Sequence, residues 1–402
     1  MRKSIIRLIA AVAAFAFVLP LTGCLQPVSL DECGFVISIG VDRGKEKKFY
    51  YTFALQRPLS EQNVKDEGGA IALSSEGESI FEAINEMEGN VPYSLNFSRT
   101  NFLIFSRETA EAGDIEELVS TSFDALKIRT SAVILVSEGN ASEFIGGMYA
   151  NNDANISKLQ SALMLDEKKT GMVTVMSVSR LLEACSDARF DYCSAYGVYD
   201  GDIVTDTEQK KSESEGKNPL EDVKIGDRAG GLKSSITGAA IFSGYKMTGV
   251  LTRYETMLLN MVTGAFRTGV VTFPYKDGDS TVSVLLSLKK RSISVNEDLT
   301  GEAAIMLTAA VHEKDASVPD DEIDAWLTGE LAGIIADDML RVFLKCRSAD
   351  SDAMRFGTGA VKLFRSAEEW DAFSWKERYR DFLPEFRVTI ENTDKYLNEN
   401  MQ

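Results

Sequence analysis

"TNFLIFSRETAEAGDIEELVSTSFDALKIRTSAVILVS", Thr100 to Ser137, decides the fold class. Thr100 to Ser106 is a short, almost wholly apolar run of the kind a strand buried on both faces requires. Between the runs, Ile115, Leu118, Val119, Ser122, Phe123 and Leu126 recur at helical spacing. Ser131 to Ser137 is a second apolar run. A strand, a helix and a second strand in that order predict a mixed α/β layer.

The flanking sequence extends this pattern. Upstream, "FVISIGVDRGKEKKFYYTFALQRP" (Phe35 to Pro58) reads as a hairpin. Phe35 to Val41 is an apolar run, and Asp42-Arg43-Gly44-Lys45 supplies the turn. Phe49, Tyr51, Phe53 and Leu55 then alternate with their neighbours until Pro58 stops the strand. Residues 59–73 are polar and Gly-rich, which predicts a loop. In "SSEGESIFEAINEMEGNVP", Ser75 and Glu78 have capping-box spacing, Ile80, Phe81, Ile84 and Met87 share one helical face, and Gly89 and Pro92 end the helix. Downstream, residues 140–187 read as two or three short helices with Leu159, Leu163, Val178, Leu181 and Leu182 inward.

From Asp200 to Ser235 the chain turns polar and charged, with too few apolar side chains to offset the entropy of ordering. This predicts a linker over 201–235. Beyond it, "TGAAIFSGYKMTGVLT" reads as two strands about Gly244-Tyr245-Lys246, followed by a helix over "RYETMLLNMVTG". Three further strands ("VVTFPY", "TVSVLLSLKKRSISV", "TGEAAIMLTAAVHEK") predict an antiparallel meander with one polar face. A long helix comes next, from Asp320 as N-cap to about Cys346. Its apolar stripe is Ile323, Trp326, Leu327, Leu331, Ile334, Ile335, Met339, Val342 and Phe343. A shorter helix is expected near Ala353 to Phe364, and "FRVTIENT" is a last strand. Trp370, Trp375, Tyr379, Phe382 and Phe386 are expected to close the C-terminal core as a lid.

The expected architecture is therefore mixed α/β (α+β), with two to three domains, mixed sheets with packed helices, and a C-terminal antiparallel meander plus long helix. Residues 35–200 form an N-terminal α/β region, with room for two subdomains, and residues 236–396 a C-terminal α/β domain.

The first residues carry a different signal. Arg2, Lys3 and Arg7 precede a nearly uninterrupted apolar run from Leu8 to Leu21, which is shorter than the ~20 residues a spanning helix needs. The run ends in Leu21-Thr22-Gly23-Cys24, the pattern of a bacterial lipobox. Cleavage between Gly23 and Cys24 would remove residues 1–23 as a lipoprotein signal peptide and leave Cys24 to carry the lipid. Two or more acyl chains anchor stably where one does not. Residues 24–34 would be the lipidated tether.

Composition narrows the function. The net charge is −18, so the surface repels nucleic acid. His312 is the only histidine, which removes multi-histidine metal sites and leaves Ser-His-Asp and Cys-His catalysis dependent on that one residue. Cys33, Cys185, Cys193 and Cys346 are scattered without a C-x-x-C, against a zinc site. Cys185 and Cys193 could pair across a turn outside the cytoplasm, or all four could stay free thiols. There is no P-loop, no G-x-G-x-x-G after a strand and no G-x-S-x-G elbow. The acids Asp320, Asp321, Glu322 and Asp324 read as cap and dipole partners of the long helix. No catalytic, cofactor-binding or metal-binding residue is expected.

The ordered set of "GFVISIGVD", "YYTFALQRP", "GESIFEAINEM", "NFLIFSRETAEAG", "KIRTSAVILVSEGNASEFI", "GAAIFSGYKMTGVLTRYETMLLNMVTG" and "FGTGAVKLF", behind a lipobox, resembles the C-subunit lipoproteins of spore germinant receptors, the Ger(x)C family. The resemblance covers nearly the whole chain beyond the lipobox. It implies a non-enzymatic role in nutrient-triggered spore germination, on the outer face of the cell membrane (the spore inner membrane). It also implies a polytopic A subunit and a transporter-like B subunit as partners. The alternative is an extracytoplasmic ligand-binding lipoprotein serving a transporter, which would prefer two similar lobes.

Overall fold

The computed structural model describes residues 33–56, 71–119, 123–152, 156–186, 189–199, 233–276 and 278–393. Gly23, Cys24, the leader, Pro58 and nearly all of the expected linker lie outside the described residues.

The runs that predicted buried strands form the centre of one large sheet. β1 (Cys33–Arg43), β5 (Phe102–Ser106), β6 (Val133–Ser137) and β8 (Cys193–Tyr199) lie side by side and parallel. β1 begins within the stretch expected to be tether. β2 (Phe49–Leu55) pairs antiparallel with β1, and β3 (Ile71–Gly77) with β2, so the expected loop ends in a strand. On the far side, β9 (Ser234–Ser243) pairs antiparallel with β8, and β10 (Lys246–Thr252) with β9. The order is β10-β9-β8-β6-β5-β1-β2-β3, with β4 (Ser94–Asn96) beside β1 and β7 (Met176–Ser177) beside β6.

Helices on both faces explain the unbroken apolar runs. Leu103, Phe105, Ile134 and Val136 face α1 (Ile80–Glu88), α2 (Arg107–Ala112) and α5 (Val178–Ser186). Phe102, Ile104, Val133 and Leu135 face α3 (Ala141–Asn152) and α4 (Ile156–Lys169). Of the helix expected over 115–126, the described parts Ile115–Glu117 and Phe123–Leu126 are α-helical. The buried carboxylate of Asp42, at the end of β1, accepts the N–H groups of Ala141 (2.6 Å) and Ser142 (3.0 Å), giving α3 its N-terminal partner from a distant strand.

α1 starts later than its spacing suggested. Ser75 lies in β3, and Ser79 is the N-cap, its hydroxyl accepting from the Glu82 N–H. The helix consequently turns Ala83 inward beside Ile80, Ile84 and Met87, and Phe81 outward. The neighbouring Glu76 carboxylate takes the N–H groups of Lys45, Glu46 and Lys47, which closes the β1–β2 turn and holds the acid below its ordinary range.

The second sheet has the expected meander. β11 (Thr268–Tyr275), β12 (Ser280–Val295) and β13 (Thr300–Lys314) are antiparallel, and β14 (Leu383–Asn392) adds to β13 in parallel. The long helix packs on its inner face. It opens with one turn (Ile323–Ala325), passes through a π-helical stretch (Trp326–Leu331) and continues as α7 (Ala332–Ser348). Its N-cap is Glu322 rather than Asp320, whose carboxylate instead meets Lys314 at 3.0 Å. The π stretch adds a residue per turn and rotates α7 about the helix axis. Ile335, Met339, Val342 and Phe343 are buried, whereas Ile334, expected inside, is exposed.

The hairpin expected to open the C-terminal domain therefore belongs to the first sheet. It also joins the halves in space: Cys193, Ala239, Ile241 and Leu251 pack in one cluster with Val284, Ile305, Leu331 and Phe343. α6 (Arg253–Thr263), held at its start by a full capping box of Thr252 and Glu255, is buried in the same cluster.

Removing the observed α1 cap should destabilise the protein. Ser79→Ala should cost about 1 kcal/mol in urea denaturation, while Ser75→Ala should leave the helix cap intact.

Candidate functional site

The region where the two sheets meet carries the densest buried polar chemistry among the described residues. Three stretches converge there: Phe190-Asp191-Tyr192 entering β8, the β9–β10 turn at Gly244, and the segments 350–357 and 374–379 behind α7. The backbone is bent sharply to bring them together. Of the six described non-glycine residues with positive φ, three lie here: Asp350 (53°), Arg355 (66°) and Ser374 (52°). Each occupies a conformation that costs free energy, so the surrounding contacts must hold it.

Asp352 is the centre. Its side chain is buried and accepts from the Phe356 N–H (2.9 Å), the Gly357 N–H (2.7 Å) and the Trp375 indole N–H (3.0 Å). Gly357 has no room for a side chain, because a Cβ there would sit 1.8 Å from the Arg189 carbonyl oxygen. Asp191 ties this knot to the first sheet. One of its oxygens accepts the Asp352 N–H (3.0 Å) and the other the Gly244 N–H (2.9 Å). The Ser351 hydroxyl donates to the Phe242 carbonyl (2.6 Å), and the Lys376 ammonium donates to the Ser243 hydroxyl (2.8 Å).

Aromatic rings pack around the knot. Phe343 meets Phe356, Tyr379 and Phe382 edge-on at 5.4, 5.7 and 5.9 Å. Trp375 packs against both Tyr379 and Phe382. The expected lid residues Trp370, Trp375, Tyr379, Phe382 and Phe386 are thus all buried. Beside them, a cavity of about 210 Å³ opens between the halves, lined by Phe190, Tyr192, Trp375 and Tyr379 among others.

The electrostatics separate structural groups from reactive ones. Burial pushes the Asp352 carboxyl up to about 7, against the three donors that favour its ionised form. Burial also pushes the Cys193 thiol up to about 12, raises Cys346 strongly and raises half-buried Cys185, so none is activated as a thiolate. All four described cysteines are unbonded. His312 is exposed on β13, far along the chain from this knot. Among the described residues no His, Cys, Asp and Glu group has the arrangement of a metal site, and no helix is long and apolar enough to cross a membrane. Sequence reading singled out Trp375 and Tyr379 but missed Asp191 and Asp352. The partners of Asp191, and Trp375 on Asp352, are remote in the chain, and nothing adjacent marks the two acids.

The raised Asp352 value has a definite pH consequence. Its stabilising proton is fully held below the ordinary value of 3.8 and is lost as pH rises through about 7. Urea midpoints should therefore fall across that window, with a slope from this group of at most about 1.4 kcal/mol per pH unit. Asp352→Asn should flatten the slope while lowering stability overall.

The chain is similar to spore germination proteins. Residues 26–193 match the spore germination protein N-terminal domain, and residues 237–394 match the spore germination B3/GerAC-like C-terminal domain. Two Bacillus subtilis (strain 168) proteins are similar. The spore germination protein YfkR is 29% identical over 138 residues, covering 31% of this chain and 34% of that protein. The spore germination protein KC is 23% identical over 180 residues, covering 43% and 44% respectively. The aligned part thus spans less than half the length of either relative. The crystal structure of the GerBC protein superposes with a TM-score of 0.52 over 88% of this chain and 96% of its own, at 14% identity, and so shares the fold. With both domain models matched in order and the fold shared, this chain belongs to the Ger(x)C family of spore germinant receptor C subunits.

Proposed function

We propose that this chain is a lipid-anchored C subunit that acts without chemistry of its own, held on the outer face of the spore inner membrane through Cys24. It works beside a polytopic A subunit and a transporter-like B subunit in nutrient-triggered germination. The observation that carries this reading is the ordered match of both family domains along one chain.

The physical features support it. The most buried carboxylate among the described residues, Asp352, is fully engaged in holding the fold, and the buried thiols are kept protonated. β1 starts at Cys33, so the stretch from Cys24 reaches at most about 30 Å when extended. An anchored protein would then stand with the start of β1 toward the bilayer. The neighbouring pole carries Arg99, whose guanidinium lies 4.2 Å from the Phe35 ring centroid and donates to Gln56.

Cys24→Ala should yield an unprocessed, mislocalised precursor, measured by membrane fractionation after a salt wash; full retention would remove the lipid as the main anchor. A mild-detergent pull-down from spore inner membranes should recover one polytopic and one transporter-like partner. Recovery of the chain alone, or with components of a transport complex, would favour the ligand-binding lipoprotein instead.

A further inference from the structure

We propose that the outer side of α4, together with the chain beside it at Arg267 and Lys290, is a docking surface for an anionic lipid bilayer. The chain carries 61 acids against 43 Lys and Arg, yet the fold gathers cations here. Backbone bonds join three stretches remote in sequence. The Arg267 N–H donates to the Lys168 carbonyl (3.2 Å), and the Leu288 N–H donates to the Arg267 carbonyl (2.9 Å). Lys168, Lys169, Arg267, Lys289 and Lys290 are therefore neighbours, and all are exposed. Lys289 meets Glu391 at 2.7 Å. Lys168, Lys169, Arg267 and Lys290 have no carboxylate partner among the described residues, nor has exposed Lys158 earlier on α4.

The acids of α4 are withdrawn from this surface. Glu167 is buried, where it accepts the Val175 N–H (2.8 Å) and faces Arg180 at 3.6 Å, and Asp166 is half-buried. Apolar side chains stand out instead. Leu163 turns into the core, whereas Met164 and Leu165 are 36% and 51% exposed. Lysines beside exposed apolar groups suit a bilayer interface. The ammonium groups attract lipid phosphates, and the apolar groups enter the boundary between headgroups and acyl chains.

The surface also lies at the pole where β1 begins. Gln160 of α4 donates to the Ser131 carbonyl (2.7 Å), the Val133 N–H to the Asn101 carbonyl (2.8 Å) and the Asn101 N–H to the Ile37 carbonyl (2.7 Å). These bonds lead from α4 past the starts of β6 and β5 to the first half of β1. The docking geometry rests on the anchoring proposed above: a lipid on Cys24, at most about 30 Å from Cys33, keeps α4 within reach of the same bilayer. Contact through α4 then fixes how the body faces the membrane, which attachment at a single point does not.

The test uses the full chain, purified from membranes and reconstituted on phosphatidylcholine vesicles with and without phosphatidylglycerol. Flotation reads attachment, and lysine acetylation followed by mass spectrometry reads contact. With phosphatidylglycerol, Lys158, Lys168, Lys169 and Lys290 should react at least about threefold more slowly, since each cation near an anionic surface strengthens binding by about fivefold. High salt should abolish the difference. Lys45, exposed in the turn at the opposite end of β1, should react equally on both vesicles. The double variant Lys168→Glu, Lys169→Glu should lose the protection at Lys290 while still floating. Flotation with both vesicles but equal lysine reactivity would overturn the docking surface and leave the anchor standing. Flotation with neither would overturn both. Protection seen only in native membranes, with the other receptor subunits present, would assign the surface to a protein and overturn the proposal.

Discussion

The ladder between β8 and β9 is the constraint on which the rest of the molecule depends. It pairs Cys193 with Ile241 and Tyr196 with Gly238 across a long intervening stretch of sequence. One face of β8, β9 and β10 then completes the first core through Tyr196, Ala240 and Phe242, while the other supplies Cys193, Ala239 and Ile241 to the second. Neither core is closed without this ladder. The buried seam of Asp191 and Asp352 reinforces it at the edge of the junction, where a lost partner would leave a buried charge exposed to an apolar surrounding.

Much of the fold was legible because the signals were local. "NFLIFS" and "SAVILVS" are apolar without a break, and only a sheet covered on both faces wants that pattern. The β9–β10 turn was equally clear, since Gly244 has φ of 59°. What escaped reading was non-local. "CSAYGVY" is short and built of small residues, and its identity as β8 depends on neighbours from both halves. Ser75 had the capping-box spacing, but the β2–β3 pairing draws it into a strand and Ser79 takes the cap instead. Ile334 fell outside because a π-helical turn shifted the phase of the helix, which a fixed period of 3.6 cannot anticipate. The candidate site was half visible: its aromatic rings announced a core, but Asp352 looks like any surface acid until Trp375 and Gly357 are brought to it.

The acidity of the chain and the acidity of the junction are different in kind. The net charge of −18 belongs mostly to solvated groups, and exposed pairs such as Arg380–Asp350 and Lys289–Glu391 contribute little to stability. Asp42 and Asp191 are instead placed where backbone N–H groups of segments remote in sequence converge, and Asp352 closes its own loop at Phe356 and Gly357 while accepting the Trp375 indole N–H. The protein uses buried carboxylates as connectors between elements.

The parallel pairing of β13 with β14 has a consequence for synthesis and quality control. Parallel neighbours cannot be joined by a tight turn, and here the whole long helix and the aromatic segments lie between them. The second sheet is therefore finished by almost the last described residues, after every other described strand has been made. Until Leu383–Asn392 arrives, the edge of β13 from Thr300 to Ala309 stands open as a template for another strand. A chain lacking β14 would carry a sticky edge beside an otherwise formed body, so this strand works as a seal against association with incomplete copies.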